Sequence, residues 1–314
     1  MKYATYITIG LMILIAIASF VVIKDYHPSP FGTNNSVATN TTKTIQIVAA
    51  ENFWGSLVSQ IGGTHVKVLS IVSDPNADPH EYESNTENAR AFAMADYIVV
   101  NGAGYDSWAN KLIGTGIKSG CKILNVAELL EKKEGDNPHF WYDPDYVNLT
   151  VKQMKEDLIS IDPTNTAYYE QNYVNLQLSL SKYQNRIAEI KQQFEGTKVA
   201  ATENIFAYLA NATGLDLISP PAFTQAVGEG NDPPAESIVK FETQLKSKNV
   251  SVLVYNQQTA TPITNNMKKL ATEEDMSVIG ITETIQPPDV SFQDWMNSEL
   301  IFIQDALNAK ALRK

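Results

Sequence analysis

Two short segments place a histidine directly after a proline, "DPHEYE" at residues 78–83 and "NPHFWYDP" at 137–144. The chain has only four histidines, His27, His65, His80 and His139. His27 stands in a polar stretch. His65 lies in a turn ahead of a strand, where a surface place is expected. His80 and His139 share a context, each in a loop on the C-terminal side of strands. Neutral imidazole is the commonest side-chain ligand of transition metals. A lone loop histidine is more often structural, but two in like surroundings point to a shared ion.

Two imidazoles need companions to hold a divalent cation. The C-terminal half has no histidine, so any ligands there are carboxylates at strand ends. Glu203 follows "KVAAT" and Glu283 follows "MSVIGIT". Each also has a plainer reading: Glu203 as an acid favouring a helix N-terminus, Glu283 as a loop acid. Asp78, Glu81 and Glu83 are read as outer charge around His80. Asp143 is a candidate acceptor for an imidazole N–H. The single Cys121 makes no intrachain disulfide and no cysteine zinc site, and it is read as a core thiol. Neither HExxH nor G-x-S-x-G occurs.

These residues need a scaffold. From residue 45 short β-rich runs alternate with helical runs, the pattern of βα units and a parallel sheet covered on both faces. "IQIVAA", "VKVLSIV", "YIVVN" and "CKILNV" are the strands of a first set, and "KVAAT", "LDLIS", "SVLVYN" and "MSVIGIT" those of a second. Between them residues 162–196 carry apolar side chains at three- and four-residue spacing, from Tyr173 to Ile190. Asp162–Pro163 is a start signal and Gly196 a stop, so one long stiff helix is expected. The fold class is α/β: two doubly wound lobes joined by one rigid helix, with the ligand site in the interlobe cleft, where open sheets bind ligands. The expected divisions are 45–161 for the first lobe, 162–196 for the helix and 197–314 for the second lobe.

With these segments in view, the sequence resembles the metal-specific solute-binding proteins of ABC importers, in their zinc and manganese branch. "IVAAENFWGSLVSQIGG", "DPNADPHEYESNTENARAFAMADYIVVNGAGYDSW", "NPHFWYDP", "ATENIFAYLANATGL" and "SVIGITETI" carry the resemblance, over residues 45–309. It implies one divalent transition-metal ion, zinc or manganese, held as cargo by His80, His139, Glu203 and Glu283. It also implies delivery to an ABC permease, no catalysis, and a monomer. The chain departs from the zinc-preferring pattern in having Glu203 where histidine is usual. It also lacks a long histidine-rich loop before His139, and it lacks the lipid-anchor cysteine. Two carboxylates and two imidazoles form an intermediate donor set, since carboxylates suit harder ions such as manganese.

Residues 6–23 are uncharged and apolar, which suits a signal-anchor or a cleaved signal peptide within 1–26. Residues 27–44 read as a polar tether, and sequons at Asn34, Asn40, Asn148, Asn211 and Asn249 mildly favour an exported body. A net charge of −11 argues against nucleic acid as a partner. The rival readings are a zinc hydrolase built on the histidines and a surface adhesion module stabilised by metal.

Overall fold

The computed structural model describes residues 44–74 and 82–312. The leader, the tether up to residue 43, and His80 with Asp78 and Glu81 lie outside the described residues. Among those described, no helix is long and apolar enough to cross a membrane.

Two four-stranded sheets, both wholly parallel, form in chain order. The first comprises β1 (Ile45–Glu51), β2 (Val66–Val72), β3 (Tyr97–Val100) and β4 (Lys122–Asn125), in spatial order β2-β1-β3-β4. The second comprises β5 (Lys198–Ala201), β6 (Asp216–Leu217), β7 (Val252–Asn256) and β8 (Ser277–Ile281), in order β6-β5-β7-β8. The order reverses beside β1 in one sheet and beside β5 in the other. Such switch points open a crevice at the carboxyl ends of strands.

The helices of the first half are α1 (Asn52–Gly62), α2 (Thr86–Met94), α3 (Ser107–Thr115), the single turn α4 (Val126–Leu129) and α5 (Pro144–Ile161). The long α6 (Thr166–Phe194) follows. The second half adds α7 (Ala207–Ala212), α8 (Pro221–Gly228), α9 (Ala235–Lys246), α10 (Pro262–Glu273) and α11 (Phe292–Leu312).

Strand alternation deals side chains to two layers. Val48, Ala50, Ile98 and Val100 face outward to Phe92 of α2 and Trp108 and Leu112 of α3. Ala200 and Leu253 face outward to Phe223, Phe241 and Met267 of α8, α9 and α10. The opposite faces of both sheets share one core. Ile47, Ala49, Tyr97 and Val99 belong to the same buried cluster as Val199, Ala201, Val252 and Val254, with α1, α5, α6 and α11 packed into it.

The long helix was legible, with its ends slightly moved. Pro163–Asn165 form a 3-10 turn before α6, because the Asp162 carboxylate accepts from Thr164 Oγ1 at 2.6 Å, Asn165 Nδ2 at 2.6 Å and Tyr169 Oη at 2.9 Å. Gly196, at φ 73°, ends it. Buried Leu176, Leu180, Tyr183, Ile187 and Ile190 are the expected stripe. At 1.5 Å per residue its length is about 43 Å. Arg186 ties it to α11, donating to Asn297 Oδ1 at 2.8 Å and Gln304 Oε1 at 2.7 Å. Three helices, the single turn α4 and the longer α5 and α8, were absent from the sequence pattern. The thiol of Cys121 is only half-buried at the edge of the outer cluster, because β4 is an edge strand.

Candidate metal centre

The site is built on strand ends. Glu203 follows β5 in an extended conformation, at the position that precedes the 3-10 turn Asn204–Phe206. Its side chain makes no capping bond there. The carboxylate turns inward instead: Oε2 accepts from Asn256 Nδ2 at 3.0 Å, and Oε1 lies 3.5 Å from His139 Nε2.

Glu283 leaves β8 in a turn held by Gln258, whose Oε1 accepts the N–H of Glu283 at 2.7 Å and of Thr284 at 3.1 Å. Its Oε1 accepts from Asn256 Nδ2 at 2.5 Å and its Oε2 from the Tyr105 hydroxyl at 2.6 Å. Glu283 lies in the loop after β8 and is fully buried there.

His139 comes from the first lobe. The turn Phe140–Tyr142 that follows it is buried, with Trp141 stacked on Phe53 at 4.0 Å between ring centroids. His139 Nδ1 sits 2.6 Å from Asn137 Oδ1, while Asn137 Nδ2 donates to the Asn204 carbonyl at 2.8 Å. That second bond fixes the Asn137 amide with its oxygen toward the ring. Nδ1 therefore carries a proton, and Nε2 is the ring nitrogen turned toward Glu203.

His139, Glu203 and Glu283 each offer a ligand atom, and these atoms lie within 4.8 Å of one another, all buried. Ligands of a tetrahedral ion with bonds of about 2.1 Å stand about 3.4 Å apart, close to the His139–Glu203 spacing. One imidazole lone pair and two carboxylates offset a +2 charge and lower its desolvation cost.

Of the four candidate ligands, the structure brings together His139, Glu203 and Glu283, and His80 lies outside the described residues. β2 ends at Val72 in register with Glu51 of β1. Glu83, beyond the His80 segment, is exposed. His65 is half-buried against Tyr168, 4.4 Å between rings, and is no part of the cluster. Asp143 is a correction. Its Oδ1 accepts from the N–H groups of Asp145 at 2.9 Å and Tyr146 at 3.2 Å and caps α5. The imidazole partner is Asn137, which the backbone turn brings to the ring from two residues upstream.

Sequence reasoning also missed Asn256, Tyr105, Glu51 and Asp106. Asn256 ends β7 and gives its amide to both carboxylates. A polar residue ending a buried strand was the available signal, the same one that found Glu203. Asp106 accepts the N–H groups of Asn101 at 2.6 Å and Gly102 at 2.8 Å, which pins the loop after β3. Glu51 ends β1, fully buried. Burial, then the charge of Asp106 beside it, pushes its carboxyl well above the usual range and favours its neutral form.

The family model described as "Zinc-uptake complex component A periplasmic" matches residues 47–306. The manganese ABC transporter substrate-binding lipoprotein PsaA of Streptococcus anginosus is 25% identical over 228 residues, 67% of this chain and 71% of that protein. The high-affinity zinc uptake system protein ZnuA of Bacillus subtilis is 22% identical over 264 residues, 77% of this chain and 82% of its own length. Among solved structures, a crystal structure of ZnuA superposes with a TM-score of 0.68 at 24% identity, covering 85% of this chain and all of the other. The manganese-bound periplasmic metal binding protein of candidatus liberibacter asiaticus gives 0.68 at 21% identity, covering 84% of this chain and 99% of the other.

Proposed function

Since the chain belongs to the family of the periplasmic zinc-uptake component ZnuA, we propose that it is an extracytoplasmic receptor that captures one divalent transition-metal ion, zinc or manganese, and delivers it to an ABC permease. The ligands in this reading are His139 from the first lobe, Glu203 and Glu283 from the second, and His80 as the fourth. The observation that carries it is the convergence of an imidazole and two carboxylates, from residues up to 144 positions apart (139 to 283), at one buried point. Relatives named for manganese and for zinc both support a transition metal as cargo. The reading is of a binding protein rather than an enzyme. A catalytic zinc keeps an open position for water, whereas four protein ligands would close this one. Attachment through the N-terminal segment and function as a monomer complete the proposal.

The test is elemental analysis of the purified protein, followed by zinc and manganese titration of the wild type and of His139→Ala. One ion per chain and a loss of well over tenfold in affinity are expected for the variant. Unchanged affinity would remove His139 from the site, and hydrolytic turnover by the loaded protein would reinstate the enzyme.

A further inference from the structure

The Tyr105 hydroxyl donates to Glu283 Oε2 at 2.6 Å, a bond from the first lobe to the second. Tyr105 is held on several sides. Its N–H donates to the Gly102 carbonyl at 3.1 Å, within the loop that Asp106 pins. Its ring lies 5.1 Å from Trp141, 6.1 Å from His139 and 6.5 Å from Phe53. It is 2% exposed. The hydroxyl is therefore positioned before any ion arrives. The other oxygen of the same carboxylate accepts from Asn256 Nδ2 at 2.5 Å.

A carboxylate grips an ion through one oxygen or through both. The two-oxygen grip requires both atoms to turn equivalent lone pairs toward the ion. A short bond from a neutral O–H to a carboxylate is strong and directional. It draws charge from Oε2 and resists rotation of the carboxylate about its axis. From this geometry we infer that Tyr105 is a specificity-determining residue, which restrains Glu283 to a one-oxygen grip and favours zinc over manganese. The inference rests on the metal-receptor reading of this site. Its chemical basis is donor number. Zinc is satisfied by four ligands in a tetrahedron, whereas manganese takes octahedral, oxygen-rich shells. Removing the hydroxyl gives Glu283 a second donor atom to offer, which the larger shell uses better.

The experiment compares the metal-stripped wild type with Tyr105→Phe. Zinc and manganese affinities are measured by competition against a chromophoric chelator, and X-ray absorption counts the light atoms around each bound metal. The ratio of manganese to zinc affinity should rise by about tenfold, the scale of outer-shell changes at metal sites. The manganese-loaded variant should gain about one oxygen neighbour, the added carboxylate atom. Tyr105→Leu, which also lacks the hydroxyl, should move the ratio in the same direction and guards against an effect peculiar to phenylalanine. A merely structural tyrosine would weaken both metals alike. An equal loss, or an unaltered ratio with an unaltered neighbour count, overturns the inference while leaving the receptor reading intact. Failure of the wild type to bind either metal overturns both.

Discussion

At the scale of single residues, the site depends on a neutral amide. Asn256 Nδ2 lies within hydrogen-bond reach of Glu203 Oε2, Glu283 Oε1 and Thr259 Oγ1. It bridges the two acids, and its orientation is set by Oδ1 accepting the Gln258 N–H at 2.9 Å. Two buried carboxylates repel each other until a cation arrives. An amide donor shared between them offsets part of that cost in the empty protein and holds both oxygens in place. Asn256→Ala should therefore lower metal affinity by about 10- to 100-fold, with far-UV circular dichroism unchanged. Asn256→Asp should be worse, because it adds a third charge to the same point. Wild-type affinity in Asn256→Ala, measured by calorimetric titration, would show that the acids need no such bridge.

At the scale of elements, the end of β8 is fixed by α11 through Glu299. Its Oε1 accepts from the Thr282 N–H at 2.8 Å, Thr282 Oγ1 at 3.2 Å and Trp295 Nε1 at 3.1 Å, and its Oε2 from Tyr142 Oη at 2.7 Å. Burial raises the Glu299 carboxyl to about 7, although these donors pull the other way. A carboxyl raised on folding binds its proton more tightly in the native state, so its contribution to stability is full at low pH. That contribution is lost as pH rises from the unfolded value, about 4.3, through about 7. Glu299→Gln should keep the network: its oxygen accepts the same three donors, its amide donates to Tyr142 Oη, and Tyr142 donates to the Thr282 carbonyl, already 2.7 Å away. Denaturant titrations should find the variant more stable than wild type at pH 8, by up to about 4 kcal/mol, and equal or less stable at pH 4. A parallel pH profile for the two proteins would refute the assignment. The elements themselves were unevenly legible. β1, β3, β5 and β7 and the stripe of α6 were readable because burial on two faces, or on one helical face, leaves a strong period. The α5 segment was passed over although its buried residues Val147, Thr150, Val151, Met154, Asp157 and Leu158 keep three- and four-residue spacing; two of the six are polar, which interrupts the apolar stripe. His139, Glu203 and Glu283 were legible as isolated acids and bases near strand ends. Their partners Asn137, Asn256 and Tyr105 were not, because uncharged residues acquire a role only through the distances that folding creates.

At the scale of the whole molecule, the two sheets do not own separate interiors. One buried cluster runs from Ile45 of β1 to Leu307 of α11, and α6 packs against α1, α5 and α11 within it. Polar bonds cross between the halves at several heights: the Ile285 N–H to Asn52 Oδ1 at 3.0 Å, the Phe292 N–H to Ser56 Oγ at 3.1 Å, and reciprocal amides between Gln60 and Gln293 at 3.2 and 2.8 Å. Opening such a molecule by a wide hinge would break apolar packing that a flexible two-strand linker would leave intact, so metal exchange must proceed through smaller displacements near the strand ends. The same shared core means that neither half should melt alone. Heating the chelator-treated protein should give a single transition, coincident by far-UV circular dichroism and by fluorescence of its four tryptophans, as two-state unfolding requires. Adding metal to about 100 times its dissociation constant should add about 2.7 kcal/mol and raise the midpoint by about 5–10 °C. Two resolved transitions would show that the halves are independent. Loss of the near-ultraviolet signal on chelation would show instead that the ion is a structural staple, as an adhesion module stabilised by metal requires, and not a cargo carried by a scaffold that stands without it.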